Sequence, residues 1–201
     1  MNWPATTRYE LEAAPGSLAL VQDFVNTIPA GMPRGADLLA DLVTAQAWLE
    51  SALAEWSRSR SLSPETVSLG ESDLVNLRGL RSTLVDLMRA VRAAPDEHQR
   101  GRVTVSAPSA LRLDDAGQVH ALPGGKGWRH LASILLIEMH EAQVADRWRR
   151  LKTCSNHRCS AAFFDRSRNN SRVWHDVTEC GNRANLQAHR ERRKAEGGPP
   201  G

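Results

Sequence analysis

Apolar residues recur at helical spacing in three stretches of the chain, and the period shortens to that of a strand between the second and third. Leu38, Leu42, Ala45, Leu49, Ala52, Leu53 and Trp56 lie on one face of a 3.6-residue repeat and predict an amphipathic helix, with Asp37 or Gly35 as its entry residue. A second stripe, Leu74, Leu77, Leu80, Leu84, Leu87, Met88 and Val91, follows the break at Pro64, starts at Ser72-Asp73 and closes before Pro95. These two helices are expected to pack antiparallel. Over residues 102–125 the pairs Val103/Val105 and Leu111/Leu113 alternate, and Asp115-Ala116-Gly117 supplies a turn before Val119 and Ala121, so short strands are predicted there. From Trp128 the helical period returns through Leu131, Leu135, Met139, Ala142 and Trp148. No Gly or Pro interrupts residues 128–153, which predicts one long helix reaching the cysteine region. The fold class expected is mainly α with a small β-hairpin region, an α+β protein. Residues 195–201, mostly Gly and Pro, read as a disordered tail.

Composition adds a core poor in aromatics. Hydrophobic residues make up 41% of the 201, but six of the ten aromatics are tryptophans, leaving Leu, Val and Ala as the main packing material. No basic segment leads into a long apolar run near residue 1, and no apolar stretch approaches the roughly 20 residues of a membrane span. A cytoplasmic protein is therefore expected, without membrane contact, and its three cysteines are expected to serve a metal or catalysis rather than disulfides. The net charge of +3 conceals two regions of opposite sign. Residues 147–201 carry 13 Lys and Arg against five Asp and Glu, while residues 1–146 carry 13 against 18. A basic segment on an acidic body points to a polyanionic partner, because neutralised phosphates release their counterions.

That basic region also holds every cysteine. Cys154, Cys159, His175 and Cys180 form C-x4-C-x15-H-x4-C, two close pairs separated by a loop, which matches the Cys3His set of a structural zinc site. His157 and His189 are alternatives for the fourth ligand. A knuckle points its intervening side chains outward, and His189 lies more than two helical turns beyond Cys180, so His175 is preferred. The segment reads as a polar knuckle, a strand at residues 161–165, a turn at 166–171, a returning strand at 172–175, and a helix beginning at Cys180. That order resembles a treble-clef zinc finger. Residues 150–194 resemble the CGNR zinc finger, carrying in order the knuckle, Phe164 to Asn169, Trp174 before the third ligand, Cys180-Gly181-Asn182-Arg183 and a basic helix. The family usually has cysteine where this chain has His175, an exchange Zn2+ accepts. Leu18 to Thr27, with the helix pattern after it, resembles the ABATE domain, which commonly precedes this finger in proteins predicted to be bacterial stress-response transcription regulators. The resemblances imply a helical N-terminal domain over 1–150 with an unidentified ligand, and a DNA-binding finger over 151–194. They imply no enzymatic activity.

Gly181 is expected to let the backbone turn tightly around the metal, and Asn182 to cap the last helix. Arg183, Arg190, Arg193 and Lys194 project mainly from one side of that helix, while Arg166, Arg168 and Arg172 lie in the turn. Together they are placed to grip phosphates, with Asn185 and Gln187 as candidates for base edges. Trp174 and Phe164 are assigned to the small core. The expected function is a zinc-dependent DNA-binding transcription regulator whose N-terminal domain senses or regulates, with a small-molecule ligand of that domain and a homodimer matching two half-sites both left open. The alternative is an RNA- or protein-binding zinc adaptor, since positive charge does not distinguish these partners. A zinc enzyme is disfavoured because four protein ligands leave no open position for water.

Overall fold

The computed structural model describes residues 2–16, 18–31, 33–90, 104–156, 158–183 and 186. Five α-helices occur among them: α1 (Pro4–Thr7), α2 (Leu18–Val25), α3 (Leu42–Ser59), α4 (Glu71–Ala90) and α5 (Trp128–Val144). Two antiparallel hairpins complete the mainly α architecture. Strands β1 (Ser109–Leu113) and β2 (Val119–Pro123) pair from Ser109 opposite Pro123 to Leu113 opposite Val119. Strands β3 (Leu151–Thr153) and β4 (Ala162–Phe164) pair from Leu151 opposite Phe164 to Thr153 opposite Ala162.

The helix α2 is the centre of the body. All eight of its residues are buried, and it touches α1, α3, α4, α5 and β4. Its apolar residues Leu18, Leu20, Val21, Phe24 and Val25 enter one core with Trp48, Leu49 and Leu53 of α3, Leu77 and Leu84 of α4, and Leu131, Ile134 and Leu135 of α5. The polar residues of the same helix are buried too, and each is satisfied. Asp23 accepts from the Thr6 N–H at 2.7 Å and the Trp48 Nε1 at 2.9 Å, and Thr27, just beyond the helix, receives Arg81 Nη1 at 3.0 Å. A helix polar on a buried face requires such partners, because a buried unpaired polar group costs about 1–3 kcal/mol.

Three sequence expectations shift. The first long helix starts at Leu42, after the predicted entry residues, because Asp41 caps it by accepting from the Thr44 N–H at 2.8 Å. Asp37 instead holds the preceding turn, accepting from the Leu39 N–H at 2.9 Å and pairing with Arg81 at 2.6 Å. Val105 lies before the first strand and packs half-buried on the core; Val103 and Val91 fall outside the described residues. The helix from Trp128 stops at Val144, short of the cysteines. Asp146 adopts φ +52°, in the left-handed region, and the Arg147 N–H closes onto the Ala142 carbonyl at 2.7 Å, so a helix stop forms without glycine. Trp148 still packs on the core, from a 3-10 turn at Trp148–Arg150 that leads directly into β3.

The core continues across that junction. Leu151 of β3 and Ala162 of β4 are buried with the helices, so the cysteine hairpin is seated on the body rather than tethered to it. No helix among the described residues is long and apolar enough to cross a membrane.

Candidate metal centre

The knuckle is the connection between β3 and β4. Pairing continues one step beyond the strands, where the Cys154 N–H donates to the Ala161 carbonyl at 2.8 Å. Asn156, buried, then organises the turn: its carbonyl accepts the N–H of Cys159 at 2.8 Å and of Ser160 at 3.1 Å, and its Oδ1 accepts the Arg158 N–H at 3.1 Å. Ser160 completes the reversal in the left-handed region, at φ +59°.

The second pair of ligands arrives on a loop and a turn. Residues 171–176 form no strand, which corrects the predicted returning strand; β4 pairs with β3, and the loop is attached through the Ser155 N–H on the Val173 carbonyl at 2.9 Å. Its course is fixed by Asp165, whose side chain is fully buried. Asp165 accepts from Lys152 Nζ at 2.7 Å, from the Arg172 N–H at 2.8 Å and from the Ser167 N–H at 2.8 Å. Lys152 also donates to the carbonyls of Asn170 and Arg172, at 2.7 and 3.1 Å. Burial opposes the charged form, but Lys152, Ser167 and the Arg172 N–H outweigh it and hold the carboxyl down to about 2.

Cys180 lies in a π-helical turn, Val177–Gly181, and helical backbone continues through Asn182 and Arg183. Asp176 caps the turn, its Oδ1 accepting from the Glu179 N–H at 2.6 Å. Asn182, with φ −61° and ψ −40°, is already helical, so it does not take the capping role expected of it. Gly181 lets Trp174 lie close: a Cβ there would meet Cε3 of Trp174 at 3.2 Å, and the ring would have to shift by a few tenths of an ångström to admit it. Trp174 thereby packs against the small cluster of Cys154, Cys159, Ala161, Cys180 and Ala30, the core role predicted for it.

Cys154, Cys159, His175 and Cys180 present one ligand atom each, and the four atoms all lie within 4.8 Å of one another. Cys159 Sγ and His175 Nδ1 are 3.5 Å apart. Tetrahedral bonds of about 2.3 Å to sulfur and about 2.0 Å to nitrogen place adjacent ligands at about 3.5–3.8 Å, so the Cys159–His175 pair already stands at zinc spacing and the set is close enough to converge on one ion. The donor chemistry agrees. The Cys159 thiol is drawn down to about 3 by the hydrogen bond from Cys154 and, against burial, by His175. Cys154 is pushed up by the bond it makes to Cys159 and by burial, and Cys180 is pushed up to about 11 by burial and the Cys159 charge. The pKa of His175 is raised, chiefly by its bond to Cys159. Three thiols this close resist carrying three charges, and a bound divalent cation would allow all three to ligate as thiolates. Arg172 braces the third ligand by donating to the His175 carbonyl at 2.5 Å.

The predicted phosphate contacts occupy varied positions. Arg168 and Arg183 are exposed. Arg166 faces the body, donating to the Ala13 carbonyl at 2.8 Å and pairing with Glu12 at 2.8 Å. Arg172 is half-buried at His175. Asn185, Gln187, Arg190, Arg193 and Lys194 lie outside the described residues, as do His157 and His189. Reasoning from spacing overlooked Asn26, Gln22, Lys152, Asp165 and Asp176, which position the site without ligating. Their signal was polar character at helix-face positions, in Gln22 and Asn26, and an acidic residue ahead of a helical turn, in Asp176.

Fold and site together define a zinc-binding protein in which a helical body carries a Cys3His centre on a short hairpin. Residues 150–193 match the family model described as the CGNR zinc finger. The whole chain has no significant match among curated proteins.

Proposed function

We propose that the protein is a zinc-dependent DNA-binding transcription regulator of the cytoplasm, in which the finger contacts DNA and the helical body senses a signal. One observation carries the reading: Cys180 is a member of the metal cluster and opens the segment that holds Arg183, Arg190, Arg193 and Lys194. A closed zinc centre would therefore fix the start of the most basic part of the chain. Arg168 adds an exposed cation from the neighbouring loop. The matched finger family and the charge asymmetry support a polyanionic partner. The likeness of Leu18–Thr27 to the ABATE domain extends the proposal to a stress-response regulator, and a homodimer would match paired half-sites. With four protein ligands the zinc role is structural rather than enzymatic.

The test is binding of the zinc-loaded chain to genomic duplex fragments and to RNA of equal length at 50 and 200 mM salt. Duplex binding that falls about 10³- to 10⁴-fold between these salts agrees with six to eight phosphate contacts. Duplex binding should also weaken in a combined Arg183→Ala, Arg190→Ala and Arg193→Ala variant. Equal or tighter binding to RNA would favour the adaptor reading, and no binding to either would reject a nucleic-acid partner.

A further inference from the structure

A groove of about 310 Å³ runs between α4 and the zinc knuckle, lined by Arg34, Arg78, Arg81, Arg89 and one acid, Asp86, and reaching Ser160 beside Cys159. Residues 1–146 are acidic as a whole, with 13 Lys and Arg against 18 Asp and Glu, yet four of those 13 cations line this one groove. Their charges are only partly compensated. Arg81 pairs with Asp37 at 2.6 Å, and Arg89 stands 3.5 Å from Asp86, both exposed. Arg78 donates to the Leu39 and Ala40 carbonyls at 2.8 and 2.7 Å, and Arg34 to the Arg158 carbonyl at 3.3 Å. Carbonyl oxygens fix these guanidinium groups without cancelling their charge. Arg158 is itself exposed on the knuckle, and Asp41, the residue after Ala40, caps α3. Five arginines thus stand against Asp37, Asp41 and Asp86, a positive surplus on an acidic body. Arg78, Arg81 and Arg89 follow at three and eight residues along α4, so they share a face, in a row about 16 Å long. Duplex DNA carries one negative charge per about 1.7 Å of its axis, so such a row faces several phosphates, where a small anion would engage one end.

We infer that this groove is a second nucleic-acid surface: the phosphate backbone of duplex DNA held by the finger continues across the knuckle onto Arg34 and Arg89, while the less exposed Arg78 and Arg81 keep the groove positive. The knuckle supplies the connection. The Gly31 N–H donates to the Cys159 carbonyl at 3.3 Å and Arg34 holds the Arg158 carbonyl, so the loop carrying Arg34 is fastened to the metal hairpin. Cys159 and Cys180 belong to one ligand cluster, so the groove and the basic segment after Cys180 are anchored to the same centre. The inference rests on the DNA-binding function proposed above and adds to it that the helical body carries part of the contact surface.

The test is binding of the zinc-loaded full chain to genomic and random-sequence duplexes across the range from about 50 to about 200 mM salt. Arg34→Ala combined with Arg89→Ala should weaken binding at least about tenfold at the lower salt, equally for both duplexes, because phosphates carry no sequence. Losing two contacts lowers the slope of log affinity against log salt by about 2, so the drop in affinity across that range should shrink about tenfold. Arg89→Ala alone, an exposed change on α4, should lower the slope by about 1. Arg34→Lys with Arg89→Lys keeps both charges and should keep the slope. Arg112→Ala with Lys126→Ala removes two exposed cations from β1 and the loop before α5, outside the groove, and should leave the slope unchanged. Duplex binding by the wild type with an unchanged slope in the alanine variants, or an equal loss in the lysine pair or the control pair, would overturn the groove and leave the finger's DNA binding standing. A wild type that binds no duplex would overturn both.

Discussion

Asn26 and Ala162 exchange two hydrogen bonds: Oδ1 of the side chain accepts the Ala162 N–H at 2.8 Å, and Nδ2 donates to the Ala162 carbonyl at 3.0 Å. An amide side chain from the body thus occupies the outer edge of β4 as a neighbouring strand would, and satisfies a buried peptide that the short hairpin leaves unpaired. Replacing Asn26 with Ala leaves the Ala162 N–H unpaired in the core, while its carbonyl keeps the donation from Gln22 Nε2 at 3.2 Å. The expected cost is about 1–3 kcal/mol, read as a lower midpoint in urea unfolding of the zinc-loaded protein, with metal stoichiometry unchanged while the protein is folded.

The metal centre predicts a graded response at His175. The wild type should hold about one zinc per chain. His175→Cys should keep that stoichiometry, because a fourth thiolate completes an equally standard ligand set. His175→Ala should bind zinc more weakly and leave a position open to water. Competition with a chromophoric chelator ranks the three proteins, and an alanine variant equal to the wild type would remove His175 from the ligand set.

Asp23 gives the helical body a pH dependence of its own. Burial raises its pKa from 3.8 to about 6, against the bonds from Trp48 and Thr6. The folded state therefore holds the proton more tightly than the unfolded state, so this contribution to stability is full below about pH 4 and is lost as pH rises through 6. The loss is about 3 kcal/mol. It is read as the unfolding free energy of the wild type minus that of Asp23→Asn at each pH, which cancels the common effect of acid on the thiolates. A difference that stays flat between pH 4 and 7 would contradict the shift.

Lys152→Met should be among the most damaging substitutions in the finger. It leaves the Asp165 carboxylate buried without its cation and removes the ammonium from the carbonyls of Asn170 and Arg172. Breaking one partner of a buried pair costs about 3–5 kcal/mol. Pairing it with Asp165→Asn should recover part of that loss, and a double-mutant cycle on unfolding free energies measures the coupling.

Much of this arrangement was legible from residue spacing. Most of the stripes at Leu38–Trp56 and Leu74–Val91 lies in α3 and α4, the Asp115-Ala116-Gly117 turn became the β1–β2 reversal, and the four-ligand pattern converged on one point. What escaped were decisions made by contacts distant in sequence. The predicted strand at 172–175 is not formed because Asp165 and Lys152 bind that segment as a loop. The stop at Val144 depends on one Asp taking a positive φ, which no hydrophobic period records. The burial of Gln22, Asp23 and Asn26 could not be inferred from α2 alone, because their partners lie in α1, α3 and the finger hairpin.

Because Leu151 and Ala162 share one core with α2 and α5, whatever binds the thiolates acts on the folding equilibrium of that core as well. A ligand bound only by the folded chain stabilises it by RT ln(1 + [L]/Kd). Free zinc concentration thereby becomes a variable that shifts how much intact helical body is present.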